Sequence, residues 1–394
     1  MKKNLFILAV AGLALASCSS DETIASQATS QANEISFRAF NNGMTRAADA
    51  HFNVANDQFK VTAFPQGTTT TAYFSNVIFK TADGSTFTST GGKYYWPNST
   101  NLDFYAWAPA GQSDNYASIP VTVASEAASQ IDLVYGKTLD WGKVALQTGT
   151  DAGHRIDGSS VQGVTINFRH AESKVVIKLQ NSNSNLKITA SNVTIGNVSG
   201  SGTFAIAETH TDTKDAATIA GGWSSLGAAT ASYSQDITPA VFSTATQAGV
   251  DMILIPQTLT NAGVYNKTGS AAVGDPFNGA YITVKLKIQN SADDNYIVGK
   301  ASGVDEYVTA LFPLPATAWA PGKKYTYTVD LAGGGYYPTN HDTNEDLDPI
   351  LEGAEIKFVT VTVDNWTPYD GDGNGSADAD GDSDTNNDPI NVGM

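Results

Sequence analysis

The 394-residue chain sets 22 basic side chains against 39 acidic ones, for a formal charge of −17, and contains a single cysteine. Phosphate neutralisation needs a basic surface, and no cluster of Lys or Arg with interleaved aromatics appears, so the composition argues against nucleic acid as a partner. One cysteine also excludes an internal disulfide and a thiolate metal cluster, which leaves burial as the source of stability.

At the N-terminus Lys2 and Lys3 precede an apolar run over residues 5–16, then Ser17 and Cys18. The run is shorter than the roughly 20 residues that span a bilayer, so residues 1–17 read as a signal peptide. Leu15-Ala16-Ser17-Cys18 resembles the bacterial lipobox, in which the cysteine thiol receives a lipid such as palmitate before cleavage. Cys18 is therefore the expected lipidation site and the cell outer membrane the expected location. The alternative is an ordinary secretory signal cut nearby, with Cys18 incidental. Residues 18–33 hold Asp21, Glu22 and otherwise mostly Ser, Ala, Gln and Thr, and cannot bury enough apolar surface to fold alone. They read as a tether.

The next stretch alternates. Ile35, Phe37 and Ala39 point to one face of a strand and Ser36, Arg38 and Phe40 to the other. Beyond it, short β-like runs recur between Gly-, Ser- and Asn-rich turns, among them Phe59-Lys60-Val61-Thr62-Ala63-Phe64 and Leu102-Asp103-Phe104-Tyr105-Ala106-Trp107, then residues 174–179, 281–288 and 325–331. No long segment carries an i, i+3, i+4 apolar pattern. The expectation is an all-β protein of two tandem β-sandwich domains, over residues 34–155 and 156–368, because one core rarely organises this length. The junction is expected within residues 149–163, where Gly, Asp and Ser replace apolar residues.

After Asn340 fourteen acids face only Lys357, so that segment carries −13 of the −17 total. The tail, residues 369–394, has two readings. Asp370, Asp372, Asn374 and Asp378, with Gly375 at the sharp turn, resemble a calcium loop, although Gly381 stands where such a loop has its bidentate Glu. Alternatively, repeated Gly and like charge make it an acidic spacer. Ca2+ here is the one cofactor the sequence raises. Catalytic signatures are missing: there is no Gly-x-Ser-x-Gly elbow, His-Glu-x-x-His helix or P-loop, and the five histidines lack ligand spacing. No enzyme is expected.

Read in order, several fragments resemble the fimbrillin family of Bacteroidota, which comprises type V pilus subunits and related surface lipoproteins. They are Ile35-Ser36-Phe37 followed by Thr45-Arg46-Ala47, the strand Phe59-Lys60-Val61-Thr62-Ala63-Phe64, Tyr95-Trp96-Pro97 with Leu102-Asp103-Phe104-Tyr105-Ala106-Trp107-Ala108-Pro109, and Phe168-Arg169-His170-Ala171-Glu172-Ser173-Lys174-Val175. Ile253-Leu254-Ile255-Pro256-Gln257, Trp319-Ala320-Pro321-Gly322-Lys323-Lys324-Tyr325 and Val361-Thr362-Val363-Asp364-Asn365-Trp366 complete the set. The resemblance implies transthyretin-like Greek-key sandwiches and a structural or adhesive subunit of a cell-surface fimbrium. It also implies that an extracellular Arg-specific protease cuts between Arg46 and Ala47, and that the strand of Ile35, Phe37 and Ala39 then leaves with the lipid. A strand from another pilus subunit fills the groove. The donor is expected near the C-terminus, either Ile390, Val392 and Met394 or residues 356–363. Other subunits, the protease, the outer membrane through the lipid, and a host or bacterial surface ligand are the implied partners. The alternative function is a monomeric surface lipoprotein that keeps its lipid and binds glycan or a host ligand on aromatics such as Tyr94, Tyr95, Trp96, Tyr105 and Trp107.

Overall fold

The structure is a computed structural model, and it describes residues 34–38, 55–84, 86–143, 155–156, 163–166, 168–206, 221–242, 247–260, 279–337, 349–352 and 358–366. Among these residues there is no α-helix, only strands and two one-turn 3-10 helices at Ala127–Ser129 and Leu331–Gly333. The all-β expectation holds. The signal peptide, the tether and the acidic tail lie outside the described residues.

The first half contributes β1 (Phe37–Arg38), β2 (Gln58–Pro65), β3 (Phe74–Thr81), β4 (Thr86–Ser89), β5 (Leu102–Ala108) and β6 (Ile119–Thr122). It continues with β7 (Val134–Lys143), β8 (Arg155–Ile156), β9 (Val164–Thr165) and β10 (Arg169–His170). All but β6 form one sheet in the order β10-β7-β5-β2-β3-β4-β1-β9, with β8 attached to β7. Its two ends, β9 and β10, lie close together in sequence, so the sheet is bridged end to end by a few residues of chain. Strands β8 to β10 thus pair with β7 and β1 of the first half.

The second half runs through β11 (Ser173–Gln180), β12 (Leu186–Ser199), β13 (Ser201–Ile206), β14 (Gly221–Ser224), β15 (Ala229–Phe242) and β16 (Gln247–Leu254). It ends with β17 (Tyr281–Asn290), β18 (Tyr296–Val298), β19 (Val308–Pro313), β20 (Lys323–Asp330) and β21 (Phe358–Asn365). Apart from β13 and β14, these form one sheet ordered β16-β11-β20-β21 and another ordered β15-β12-β17-β18, with β19 beside β17. Alternation explains how the two sheets share a core. Ile282, Val284, Leu286 and Ile288 of β17 are buried at every second position, and they join Val175, Ile177, Tyr325 and Tyr327 in one cluster.

A third sheet, β14-β13-β6, ties the halves together, since Phe204 of β13 pairs with Ile119 of β6. Around it a separate cluster takes Phe64, Tyr105 and Trp107 from the first half and Ala171, Phe204 and Ile255 from the second. This explains the unbroken burial of β5: Phe104 and Ala106 face the first core, while Tyr105 and Trp107 face the cluster between the halves. A strand covered on both faces reads as a continuous apolar run.

Candidate functional site: the groove filled by the first strand

Strand β1 has only two residues, yet it is held on both sides. It pairs antiparallel with β4, Phe37 opposite Phe87, and parallel with β9, Phe37 opposite Val164. The Ile35 amide donates to the Tyr94 carbonyl at 2.7 Å, and the Val164 amide donates to the Ser36 carbonyl at 2.8 Å. The approach of β9 depends on Gly163. A Cβ there would stand 2.7 Å from both the Phe37 carbonyl carbon and the Ser36 oxygen, and backbone atoms cannot move aside as a side-chain end can.

The side chains of β1 complete the first core. Phe37 is 0% exposed and meets the rings of Phe59, Phe79 and Phe104 edge-on, with centroids 5.7, 4.6 and 5.2 Å away. Such T-shaped contacts add to the area buried, because a positive ring edge meets a negative face. Ile35 is 1% exposed in the same cluster. At the entrance Glu34 bridges to Tyr95, and its carboxylate accepts from Lys93 Nζ at 2.9 Å. The hydrogen bond to Glu34, then its charge, raises the Lys93 pKa above its ordinary value. The groove therefore presents a cationic entrance, an aliphatic pocket, an aromatic pocket, and two lines of backbone partners.

At the opposite end of the chain, β21 is the edge of its sheet and pairs only with β20 among the described residues. Val361 packs against the second core, but Val363, two residues on, is 53% exposed. Beyond it Trp366 is buried and stacks flat on His170, with ring centroids 3.6 Å apart. His170 Nδ1 lies 2.8 Å from Asp132 Oδ2, and both side chains have no solvent exposure. Glu172 belongs to the same junction, accepting from the Leu133 amide at 2.9 Å. Burial, and then the charge of Asp132, push the Glu172 carboxyl well above the usual range. Among the described residues no group of three or more His, Cys, Asp or Glu is placed to hold a metal ion.

Of the residues singled out in the sequence, Ile35 and Phe37 lie in this groove. Cys18, Ala39, Arg46 and Ala47, the calcium set Asp370, Asp372, Asn374 and Asp378, and the donor residues Ile390, Val392 and Met394 lie outside the described residues. The aromatic platform is dispersed: Trp96, Tyr105 and Trp107 are buried in two different clusters, and of that set Tyr95 alone is exposed. Sequence reading took Gly163 only as the end of the turn-rich stretch 149–163 and gave no role to Lys93 or to a grouping of Asp132, His170 and Glu172. Gly163 stood in plain view as a turn signal, while the other two become visible only once the pairing is known.

A two-residue strand inserted between two others and completing a core laid down by later segments defines an all-β protein whose first described strand is held on both sides. The chain matches the fimbrillin-like family over residues 45–366 and belongs to that family. No curated protein matches it. Among solved structures, a candidate cell adhesion protein from Bacteroides uniformis is 14% identical, with 85% of this chain and 98% of that chain covered and a TM-score of 0.45. A fimbrial protein from Bacteroides vulgatus is 14% identical over 78% of this chain and 93% of that one, with a TM-score of 0.41. The tip fimbrial protein Mfa3 from Porphyromonas gingivalis, with C-terminal truncation, is 9% identical over 84% and 98%, with a TM-score of 0.33. Similarity this remote carries no argument about what the chain does.

Proposed function

We propose that this protein is a structural or adhesive subunit of a cell-surface fimbrium, exported as a lipoprotein through Cys18, cleaved after Arg46, and assembled by exchange of β1 for a strand of another subunit. Family membership supports the pilus role. The position of β1 carries the mechanism: it completes the first core through Ile35 and Phe37, yet it lies only eight residues before Arg46, counted from Arg38. While β1 remains covalently attached, an incoming strand competes with an intramolecular one at high effective concentration, and exchange is negligible. After cleavage the peptide diffuses away, leaving β9 and the β1-facing edge of β4 unpaired and two apolar pockets open. A donor strand restores both kinds of contact.

Purified precursor treated with an arginine-specific protease is expected to form ladders that survive mild detergent, while Arg46→Ala stays monomeric. Polymerisation of Arg46→Ala at the wild-type rate would refute the mechanism. A resident lipoprotein that binds glycan would instead keep Cys18 and show no dependence of its state on cleavage.

A further inference from the structure

The outer face of the second half carries a grid of side chains that strand exchange does not use. Along β17 the residues alternating with the buried Ile282, Val284, Leu286 and Ile288 are Tyr281, Thr283, Lys285, Lys287 and Gln289, so these share the solvent side of the sheet. Register supplies their neighbours. Lys285 lies between Asn192 of β12 and Thr309 of β19, Lys287 stands opposite Thr189 of β12, and Tyr296 of β18 stands opposite Gln289. Tyr307, two residues before Thr309, places its ring centroid 4.8 Å from Lys287 Nζ.

The charges on this grid do not cancel. Lys287 Nζ donates to Glu306 Oε1 at 2.6 Å, and Lys187, on the same face, is paired with Asp294. Lys285 is exposed, and no hydrogen bond or ion pair holds it among the described residues. Asp236, opposite Asn192 on β15, accepts from Asn192 Nδ2 at 2.7 Å. Lys285, Lys287 and Glu306 together leave one positive charge over, on a chain whose total is −17.

Resting on the adhesive part of the reading above, we propose that this face binds an acidic oligosaccharide, with the carboxylate of a uronic acid on Lys285 and neighbouring pyranose rings against Tyr307 and Tyr296. The unpaired ammonium selects the carboxylate, since a hydrogen bond between two charged groups is stronger than one between neutral groups. The tyrosines select the sugar. A pyranose has an apolar C–H face and a rim of hydroxyls, and a tyrosine offers an apolar ring with a polar tip; Tyr296 is 38% exposed and Tyr307 half-buried. Glu306, whose Oε1 takes Lys287 and whose side chain is 30% exposed, has a second oxygen to accept from a hydroxyl. One surplus charge does not suit a nucleic acid, whose binding rests on neutralising many phosphates. A flat face makes few contacts, so a single copy binds weakly, and copies repeated along a fimbrium hold one polysaccharide far more tightly.

The test is a titration of the uncleaved precursor with trigalacturonate and with its methyl ester, which keeps the sugar rings and loses the charge. Trigalacturonate is expected to bind with a Kd on the order of 1 mM, and up to about fivefold more tightly than the ester, as an exposed ion pair allows. Lys285→Gln should abolish that preference and Lys285→Arg should keep it, while Lys80→Gln, on β3 of the other half, changes nothing. Tyr307→Ala should weaken acid and ester alike, by roughly three- to tenfold. A preference for the acid that persists in Lys285→Gln, or no binding of trigalacturonate, would overturn this inference. Treatment with an arginine-specific protease separates the two readings: ladders from a protein that binds no trigalacturonate leave the fimbrial subunit standing, whereas neither ladders nor binding would overturn both.

Discussion

Replacing Phe37 with Ala separates the hold of β1 on its own core from the hold of an incoming strand on the same groove. Phe37 has no exposed surface and lies against three phenyl rings, so truncation removes the ring and leaves a cavity that surrounding aromatics cannot fill without losing their own contacts. Buried Phe→Ala changes of this kind cost about 3–5 kcal/mol. Urea unfolding of the uncleaved precursor, followed by tryptophan fluorescence, should show that loss at unchanged slope, whereas Arg38→Lys on the exposed face should stay within about 0.5 kcal/mol. Once the chain is cut, the weakened strand should leave about a hundredfold faster or more, at roughly 1.4 kcal/mol per factor of ten, so assembly should quicken where strand departure limits it. The finished polymer should be as stable as wild type, since each groove then holds a donor with its own side chains. A precursor no less stable than the Arg38→Lys control would refute the placement of Phe37 in the core. A polymer as weakened as the precursor would show that β1 and the donor do not share the pocket.

Gly163→Ala should behave differently, because its Cβ would press on the backbone of whatever strand lies in the groove. Both precursor and polymer are expected to lose about 1–3 kcal/mol in urea unfolding, and a change in the precursor alone would count against a common binding site. Glu172 makes stability depend on pH: its folded pKa is raised, so the folded state holds a proton that the unfolded chain gives up in the ordinary carboxylate range. Its contribution is full below that range and declines as pH rises towards the folded value. Glu172→Gln keeps an acceptor for the Leu133 amide without the titration, so it should flatten this decline and be the more stable protein at alkaline pH; an unchanged slope would contradict the assignment. If the tail is a calcium loop, millimolar calcium should protect the chain beyond Tyr369 from proteolysis and Asp370→Ala with Asp372→Ala should abolish the protection, whereas equal digestion with chelator leaves the spacer reading.

The strands that could be read from sequence are those with a long enough period. The runs at β2, β5, β17 and β20 each show six or more residues of alternating or continuous apolar character, and each appears as a strand of matching extent. The two-residue strands β8, β9 and β10 have no period to read; what makes them strands is hydrogen bonding to partners elsewhere in the chain. The inward alternation of Ile35 and Phe37 was legible, but the parallel neighbour on the far side of β1 was not, because nothing in Gly163 or Val164 names its partner. Charged residues mislead for the same reason. Asp132, His170 and Glu172 are scattered polar letters in a row, and their complete burial follows only from the crossing of the chain between the two halves. The aromatic motifs around Trp96 and Trp107 could be read as a sugar platform but more readily as sandwich core, and their burial in two separate clusters agrees with the core.

The junction also bears on how β21 is retained in a single subunit. Its last contact is Trp366, stacked on His170, with the Trp366 amide donating to the Gly322 carbonyl at 2.8 Å and the Gly322 amide donating to the Glu172 carbonyl at 2.8 Å. The end of β21 therefore closes over two buried acids, and in one of them burial, then the charge of its neighbour, raises the pKa and opposes ionisation. Were residues 356–363 to leave as the donor, Trp366 would be drawn off with them and water would reach the carboxyls. Glu172 can then ionise, and the free energy recovered grows as pH rises. The cost of stripping β21 from β20 is offset in part by relief at its own end, a coupling that a wholly apolar junction would lack. On the proposed mechanism the polar cluster lowers the stability of the closed subunit relative to the assembled one, so Glu172→Gln, which should stabilise the subunit at alkaline pH, should also slow its assembly there.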